Sequence, residues 1–251
     1  MTEAEIAACA EALAQAYRSN THIEALPTAP SSVADAHAIQ DRVAALLGKP
    51  AQAYKAGVAA DGEPRRGLIY PRLIRPSPAR VAPAEAPHFG VEGEIGFRFL
   101  RDLPARRQPY TRDEVATAVA VLPAIEVVSS RFRDPLGRPP LEQLADCGIN
   151  GGLVFGTELS DWSHLDLPRL HVTLLVNGEP VLEHQGGHPN NDPLGPAVSL
   201  VDMLRVAGSG VEAGQIVITG SCTDGLRFLR HGDRCTVRFE GLGEAEVVFD
   251  D

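Results

Sequence analysis

Residues 91–99 read VEGEIGFRF. Side chains at the odd positions are apolar or glycine, whereas Glu92, Glu94 and Arg98 stand at even positions. Because successive side chains of a β-strand point to opposite faces, this alternation predicts a strand with two carboxylates on one face. Two ionised carboxylates about 6 to 7 Å apart repel each other unless a cation lies between them. The alternative is that both point into water, as most glutamates do.

The segments that precede this strand predict a helical arm. Apolar residues recur at helical spacing from Glu3 to Arg18, in an alanine-rich stretch. A second helix is predicted for residues 33–47, with Ser32 as its N-cap and Gly48 at its end. Six prolines lie between Lys55 and Gly90, and they predict a loop-rich segment of the kind that covers a site.

The segments that follow the strand predict a mostly β-structured body. A capping box at Thr111 predicts a helix that ends near Pro123, followed by a short strand at 124–129. Asn177 and Gly178 favour a type I′ turn and predict a hairpin of residues 170–176 and 179–184. A helix is predicted at 192–206, and closing strands at 215–220, 234–240 and 244–249.

The order of these elements predicts an α+β fold. We expect one catalytic domain, in which a helical arm of residues 1–50 precedes a β-rich body of residues 51–251. The body should form a mixed β-roll or sandwich, because its helices are too few for alternating βαβ units.

Composition excludes several classes of function. The formal charge is −10, from 33 acidic and 23 basic residues, and no long basic run is present, so we expect no nucleic-acid partner. The four cysteines form no C-x-x-C pair, which argues against a zinc knuckle or redox motif. The acidic N-terminus is unlike a signal peptide, and no apolar run is long enough to span a bilayer, so we expect a cytoplasmic protein without a membrane partner.

Two further charged residues lie in apolar surroundings. Glu126 interrupts the run PAIEVV, where a carboxylate is costly unless it is paired, protonated or bound to metal. It is therefore the candidate for a third ligand beside Glu92 and Glu94, in an oxygen-only site suited to Mg²⁺ or Mn²⁺. The alternative for Glu126 is a salt bridge with Arg131 or another arginine. Lys55 lies in a short apolar strand and could meet a substrate carboxylate, although an exposed lysine is the alternative.

Other motifs are weaker. His184 and His188 flank two glycines, and such a turn does not hold the side chains in the geometry of a metal pair. No G-x-S-x-G, Walker or H-E-x-x-H motif is present, which argues against serine hydrolase, nucleotide-binding and zincin functions.

Three segments in this order and spacing resemble a known family: VEGEIGF at 91–97, AIEVVSSR at 124–131 and ADCGINGGLVFG at 145–156. They resemble the 2-keto-4-pentenoate hydratases, a branch of the fumarylacetoacetate hydrolase superfamily. The resemblance extends from Ala34 to the C-terminus and includes YKAG at 54–57 and ITGS at 218–221. Ser129 departs from the pattern, because relatives commonly carry an aspartate there, and this departure bears on the choice of substrate or reaction.

The resemblance implies a mixed β-roll behind a helical arm, and a site in which Glu92, Glu94 and Glu126 bind Mg²⁺ or Mn²⁺. The cation would chelate the 2-oxo acid head of a 2-hydroxy-2,4-dienoate, and Lys55 would neutralise its carboxylate. Water would then add to the conjugated double bond to give a 4-hydroxy-2-oxo acid, in the catabolism of aromatic compounds. Ser221 is a candidate for orienting the substrate, and a turn serine that caps its own backbone is the alternative. We also expect a homo-oligomer.

Several alternatives stay open. A 2-oxo-3-enedioate (4-oxalocrotonate) decarboxylase would use the same chelate, and Arg65, Arg66 and Arg72 would suit such a dicarboxylate. An acylpyruvate C–C hydrolase would need a histidine-carboxylate pair, for which His22 or His37 is available. A small-acid binding module that has lost catalysis is the non-enzymatic alternative.

Overall fold

The computed structural model describes residues 1–59, 62–71 and 74–250. The chain begins with the predicted helical arm, α1 (Glu3–Ser19) and α2 (Val33–Leu47). The Thr2 and Ser32 hydroxyl groups cap these helices by accepting backbone N–H bonds, and Gly48 ends α2 in the left-handed conformation. The other helices are α3 (Arg112–Ala116), α4 (Pro140–Ala145) and α5 (Leu194–Val206).

Fifteen strands are found among the described residues. They are β1 (Ala53–Val58), β2 (Pro64–Ile69), β3 (Ile74–Pro76), β4 (Ala79–Val81), β5 (Gly90–Phe99), β6 (Leu103–Pro104), β7 (Val119–Val128), β8 (Asn150–Phe155), β9 (His171–Val176), β10 (Glu179–Gln185), β11 (Gly210–Val211), β12 (Ile216–Ser221), β13 (Arg227–Phe228), β14 (Arg234–Phe239) and β15 (Gly243–Phe249).

These strands form two large mixed sheets and one small one. The eight-stranded sheet has the order β2-β1-β12-β5-β7-β8-β3, with β13 paired to β5. The five-stranded sheet has the order β10-β9-β14-β15-β4, and β6 pairs with β11. Both large sheets contain antiparallel and parallel pairs, for example β1 with β12 and β15 with β4 in parallel. The α+β prediction with a helical arm and a rolled body is confirmed.

One face of the eight-stranded sheet carries an apolar layer of side chains and, next to it, a layer that contains charged side chains. Its middle carries one cluster of buried apolar side chains: Ala53, Ile69, Leu122, Ala124, Leu153, Ile216 and Ile218. They come from five different strands, and the contact between β12 and β7 passes over Gly96 of β5, which has no side chain. The sheet curls, because Lys55 Nζ on β1 reaches Glu126 Oε1 on β7 across two intervening strands. Two positions farther along β1, β7 and β12, on the same face, stand Lys55, Glu126 and Gly220. The apolar layer therefore forms the floor on which the charged residues lie.

The opposite face of β5 packs against the five-stranded sheet. Gly93 lies between the two glutamates, and a Cβ atom there would stand 2.6 Å from Val237 Cγ2 and 2.7 Å from Thr223 Cγ2. A side chain at this position would push the sheets apart. Glycine between Glu92 and Glu94 thus lets the second sheet cover the back of the strand that carries the carboxylates.

Most predicted elements are confirmed, and two segments differ from the prediction: residues 111–128 and the proline-rich segment before β5. The hairpin turn is confirmed, with φ of 55° at Asn177 and 86° at Gly178. The helix from Thr111 ends at Ala116 instead of near Pro123, and residues 119–128 form the single long strand β7, which is buried along its whole length. A short apolar run does not distinguish a buried strand from a buried helix by periodicity.

The proline-rich segment is less loop-like than predicted, because β2, β3 and β4 lie in it. Such short strands are stabilised by their neighbours in the sheet, which local sequence does not reveal.

The described residues contain no helix that is both long and apolar enough to cross a membrane.

Candidate metal centre

Three carboxylates converge at one end of the curled sheet. Glu92 of β5 stands directly opposite Glu126 of β7 in the antiparallel pairing, and Glu94 is two residues farther along the same face of β5. One oxygen from each of the three carboxylates lies within 4.8 Å of the others. Glu94 is 2% exposed and Glu126 is fully buried. The sheet register therefore produces a compact acidic cluster from residues that lie up to 34 positions apart in the chain.

Each buried carboxylate is held by its neighbours. Glu126 Oε1 accepts hydrogen bonds from Lys55 Nζ at 2.8 Å and from Asn150 Nδ2 at 2.9 Å. Glu94 Oε2 accepts the backbone N–H of Gly220 at 2.6 Å. Glu126 Oε2 is buried and has no hydrogen-bond partner among the described residues. One side of the Glu126 carboxylate is thus fixed, while the other side has an unused lone pair in a buried setting.

The electrostatics of the cluster favour a bound cation. Burial, followed by the negative charge of Glu126, raises the pKa of Glu92 to about 7. Burial and the charges of Glu126 and Glu92 raise the pKa of Glu94 well above its ordinary value. Burial by itself would lower the pKa of Lys55, but the three carboxylates outweigh it, and the pKa is raised. Lys55 is therefore charged at neutral pH, and one ammonium group faces three acidic groups.

The donor set fits a hard divalent cation. The carboxylates supply only oxygen, the ligand type that Mg²⁺ and Mn²⁺ prefer. A cation among them would offset the mutual repulsion that raises the pKa values of Glu92 and Glu94, and it would satisfy Glu126 Oε2.

A cavity of about 300 Å³ opens beside the cluster. Its lining includes Lys55, Glu92, Glu94 and Ser221, together with the two arginines Arg65 and Arg66. In the antiparallel pair of β1 with β2, Lys55 stands opposite Gly67, so Arg65 projects to the same face as Lys55. The cavity therefore combines an acidic cluster with the cationic side chains of Lys55 and Arg65, which suits a small organic acid.

The structure brings the predicted site residues together. Lys55, Glu92, Glu94 and Ser221 line one cavity, and Glu126 lies directly beneath through its bond to Lys55. Among the described residues the cationic partner of Glu126 is Lys55 and not an arginine, and Arg131 pairs with Asp146. The Ser221 hydroxyl accepts the backbone N–H of Thr223 at 3.3 Å, so it caps its own turn as well as facing the cavity. Arg72 lies outside the described residues.

Several other candidates are not part of this cluster. His22 and Ser129 line a different, smaller pocket, in which Ser129 Oγ lies 3.2 Å from His88 Nδ1. His37 Nε2 accepts the backbone N–H of Arg66, and neither His22 nor His37 lines the 300 Å³ cavity. His188 is buried and bonds to the Thr219 carbonyl group, and the acidic cluster includes neither His184 nor His188.

Three residues of the site were not anticipated from the sequence. Asn150 orients Glu126, the Gly148 carbonyl group accepts a bond from Lys55 Nζ at 3.1 Å, and the Gly220 N–H group holds Glu94. Two of these are backbone groups, which leave no residue-type signal. Asn150 lies in the segment 145–156 that carries the family resemblance, and this segment was the one available signal.

Comparisons with known proteins agree with this geometry. Residues 69–249 match the family model for the fumarylacetoacetate (FAA) hydrolase C-terminal domain. The chain is 30% identical to a 2-keto-4-pentenoate hydratase of Paraburkholderia phymatum over 82% of this chain and 76% of that protein. It is 28% identical to a 4-oxalocrotonate decarboxylase of Pseudomonas putida over 55% of this chain and 51% of that protein.

A solved structure has the same fold. It is the 4-oxalocrotonate decarboxylase from Pseudomonas putida G7 complexed with magnesium and adipate, with a TM-score of 0.84 and 24% sequence identity. The match covers 99% of this chain and 98% of that chain.

Proposed function

The chain belongs to the fumarylacetoacetate hydrolase family, and on this basis we propose that it is a divalent-metal-dependent hydratase. Its reaction adds water to a 2-hydroxy-2,4-dienoate and gives a 4-hydroxy-2-oxo acid. Relatives that match about four fifths of this chain are named 2-keto-4-pentenoate hydratases, which supports a small-molecule substrate and this reaction class.

The observation that carries the proposal is the cluster of Glu92, Glu94 and Glu126 beside a cavity that also contains Lys55. These carboxylates would hold Mg²⁺ or Mn²⁺, which when bound supplies a Lewis acid for the 2-oxo group of the substrate. A charged Lys55 beside them suits the carboxylate of the same 2-oxo acid head, because its raised pKa keeps it protonated at neutral pH.

Two further features near the cavity support the proposed reaction. The apolar layer beneath the cluster excludes water from below, which strengthens electrostatic interactions between the substrate and the site. Ser221 faces the cavity and could orient the substrate by its hydroxyl group. We also propose that the protein is cytoplasmic and that it assembles as a homo-oligomer.

The direct test is the ultraviolet decay of freshly generated 2-hydroxypenta-2,4-dienoate with purified protein and Mg²⁺. We expect decay that depends on the metal, with 4-hydroxy-2-oxopentanoate identified by mass as the product. Glu94→Gln should reduce kcat/KM by at least about 100-fold, because it removes a buried anionic ligand. Glu183→Gln on the exposed part of β10 is the matched control and should retain full activity. Wild-type protein that binds Mg²⁺ but leaves the dienoate unchanged would refute the hydratase assignment.

A second candidate is decarboxylation of a 2-oxo-3-enedioate, and the position of Arg65 in the cavity lining, on the same face of the sheet as Lys55, favours it. An arginine at this position suits a second carboxylate of the substrate. The same assay with 2-hydroxyhexa-2,4-dienedioate distinguishes the two reactions, since only the decarboxylase would release CO₂.

A further inference from the structure

A left-handed turn lies beside the acidic cluster, between α4 and β8. Cys147, Gly148 and Ile149 have φ angles of 56°, 64° and 57°. Glycine adopts this conformation readily, but a β-branched residue such as Ile149 rarely does, because its Cβ atom crowds the backbone. Three consecutive residues of this kind persist only where their surroundings enforce them.

Arg131 provides this enforcement by holding both ends of the turn. At the first end, its side chain pairs with the Asp146 carboxylate, and its Nη2 donates to the Asp146 carbonyl group at 2.9 Å. At the other end, its Nη1 donates to the Asn150 carbonyl group at 3.0 Å. The Asp146 carboxylate also accepts the Ser130 hydroxyl group at 2.6 Å and the backbone N–H of Arg131. Asp146 is 2% exposed, so this clamp works in a buried setting where charge-assisted bonds are strong.

The turn places two of its groups on the candidate metal centre. The Gly148 carbonyl group accepts Lys55 Nζ at 3.1 Å, and Asn150 Nδ2 donates to Glu126 Oε1 at 2.9 Å. Gly67 makes this approach possible, because a Cβ atom there would collide with the Cys147 carbonyl group and would stand 2.8 Å from Lys55 Cγ. The turn therefore contacts both members of the Lys55–Glu126 ion pair.

These contacts fix the orientation of the Glu126 carboxylate. With Oε1 occupied by Lys55 and Asn150, the plane of the carboxylate is set, and Oε2 is the oxygen without a hydrogen-bond partner among the described residues. A carboxylate that is already oriented loses less conformational freedom when it binds a cation.

We propose that Arg131, Asp146 and Asn150 are positioning residues: Arg131 and Asp146 hold the 146–150 turn in its left-handed form, and the turn orients Glu126 and Lys55 for the cation and the substrate acid. The proposal rests on the proposed function for the identity of the reaction. It makes a separate claim about affinity for the cation, which can be measured without substrate.

The test uses Mn²⁺ alone as the probe, with its affinity measured by electron paramagnetic resonance of the free ion. Asn150→Leu keeps the approximate size of the side chain but removes the donor to Glu126, and Arg131→Lys keeps the charge but loses the fork that spans Asp146 and Asn150. We expect each variant to bind Mn²⁺ at least about ten-fold more weakly than wild type, as is typical when the partner of a metal ligand is removed. At saturating Mn²⁺, Arg131→Lys should still have a higher KM for the dienoate than wild type. The reason is that the turn also positions Lys55, through the Gly148 carbonyl group, for the substrate acid.

Arg138→Lys is the matched control. Arg138 also pairs with a buried carboxylate, that of Glu142, but it makes no bond to the 146–150 turn. This variant should lose thermal stability and keep the wild-type Mn²⁺ affinity within two-fold.

The outcomes separate the two hypotheses. If Arg131→Lys and Asn150→Leu melt at lower temperature but bind Mn²⁺ as tightly as wild type, the turn has a structural role only and the proposal is overturned. If Arg131→Lys does not fold, Asn150→Leu decides the matter, because it leaves the Arg131 clamp intact. Wild-type protein that binds Mn²⁺ without converting the dienoate would refute the hydratase, whereas weakened Mn²⁺ binding by the variants would still support the positioning role.

Discussion

The ten-residue strand β7 contains one charged side chain, that of Glu126. A fully buried carboxylate is costly unless charged or polar partners compensate, and Lys55 and Asn150 supply this compensation on one of its two oxygens. The second oxygen has no such partner among the described residues. Glu126 is therefore the residue whose environment most clearly favours a bound cation, because a cation would interact with its unpartnered oxygen.

Replacing Glu126 by glutamine should weaken binding of the metal and reduce the stabilisation that it gives. The variant keeps the size of the side chain and its acceptor for Lys55 but loses the charge, so we expect Mn²⁺ affinity to fall at least about ten-fold. At a Mn²⁺ concentration about ten times the wild-type Kd, the melting temperature of the wild type should rise clearly and that of the variant much less. Differential scanning calorimetry with and without Mn²⁺ measures the stabilisation, and electron paramagnetic resonance of the free ion measures the affinity.

Glu142→Gln is the control for this variant, because Glu142 is a buried carboxylate paired with Arg138 and lies outside the acidic cluster. It should be less stable than wild type but respond fully to Mn²⁺. An equal response to Mn²⁺ in Glu126→Gln and wild type would contradict the assignment of Glu126 as a ligand.

Helix α2 meets strand β2 through a histidine. His37 Nε2 accepts the backbone N–H of Arg66 at 3.1 Å, and Arg66 also forms a bidentate pair with Asp41 of the same helix at 2.7 and 2.8 Å. Burial, followed by the positive charge of Arg66, lowers the pKa of His37 from 6.5 to about 4. The neutral imidazole thus serves as an acceptor that joins the arm to the sheet.

The contribution of His37 to the free energy of unfolding should decrease as the pH falls. The unfolded chain protonates His37 below pH 6.5, whereas the folded protein resists protonation until about pH 4, so the stabilisation is complete above pH 6.5 and is lost between these values. In His37→Gln, an amide oxygen can still accept the bond but does not titrate. Between pH 7.5 and pH 5, we expect wild type to lose about 2 kcal/mol more unfolding free energy than this variant. Urea denaturation at both pH values provides the comparison, and parallel losses would argue against the role of His37.

Gln40 joins three parts of the fold. It is fully buried in α2, and its Nε2 donates to the carbonyl groups of Arg66 at 3.0 Å and Leu144 at 2.5 Å. Its Oε1 accepts the N–H of Leu68 at 3.2 Å. One amide therefore links the arm, strand β2 and helix α4, and the last two of these contribute residues to the cavity wall.

Replacing Gln40 by leucine should destabilise the protein as a unit. The substitution leaves buried backbone groups of β2 and α4 without this partner, which costs about 1–3 kcal/mol for each group and is not additive. We expect a loss of about 3 kcal/mol in unfolding free energy, measured by urea denaturation. The exposed Gln15→Leu variant on α1 is the control and should stay within about 0.5 kcal/mol of wild type. A Gln40 variant as stable as its control would show that the hydrogen bonds of Gln40 make no net contribution to the docking of the arm.

Local patterns predicted much of this protein. The caps of α2, the Asn177–Gly178 hairpin and the alternation of β5 depend on neighbours within a few positions, so the sequence is sufficient to predict them. The pairing of Glu92 with Glu94 on one face follows from the same alternation. Where helix and strand share the same local pattern, as after α3, the prediction was wrong, because burial on both faces of β7 depends on the two strands beside it.

The site itself depends on contacts between distant parts of the chain. Lys55 and Glu126 are 71 positions apart, and Asn150 is 24 positions beyond Glu126. Their meeting requires the parallel pairing of β1 with β12 and the antiparallel pairings of β12, β5, β7 and β8 within one curled sheet. No local rule specifies such pairings, because they are chosen by the burial of whole sheet faces. The sequence therefore predicted the charged residues of the candidate site, and the curl of the sheet decided which oxygen of Glu126 has no hydrogen-bond partner among the described residues.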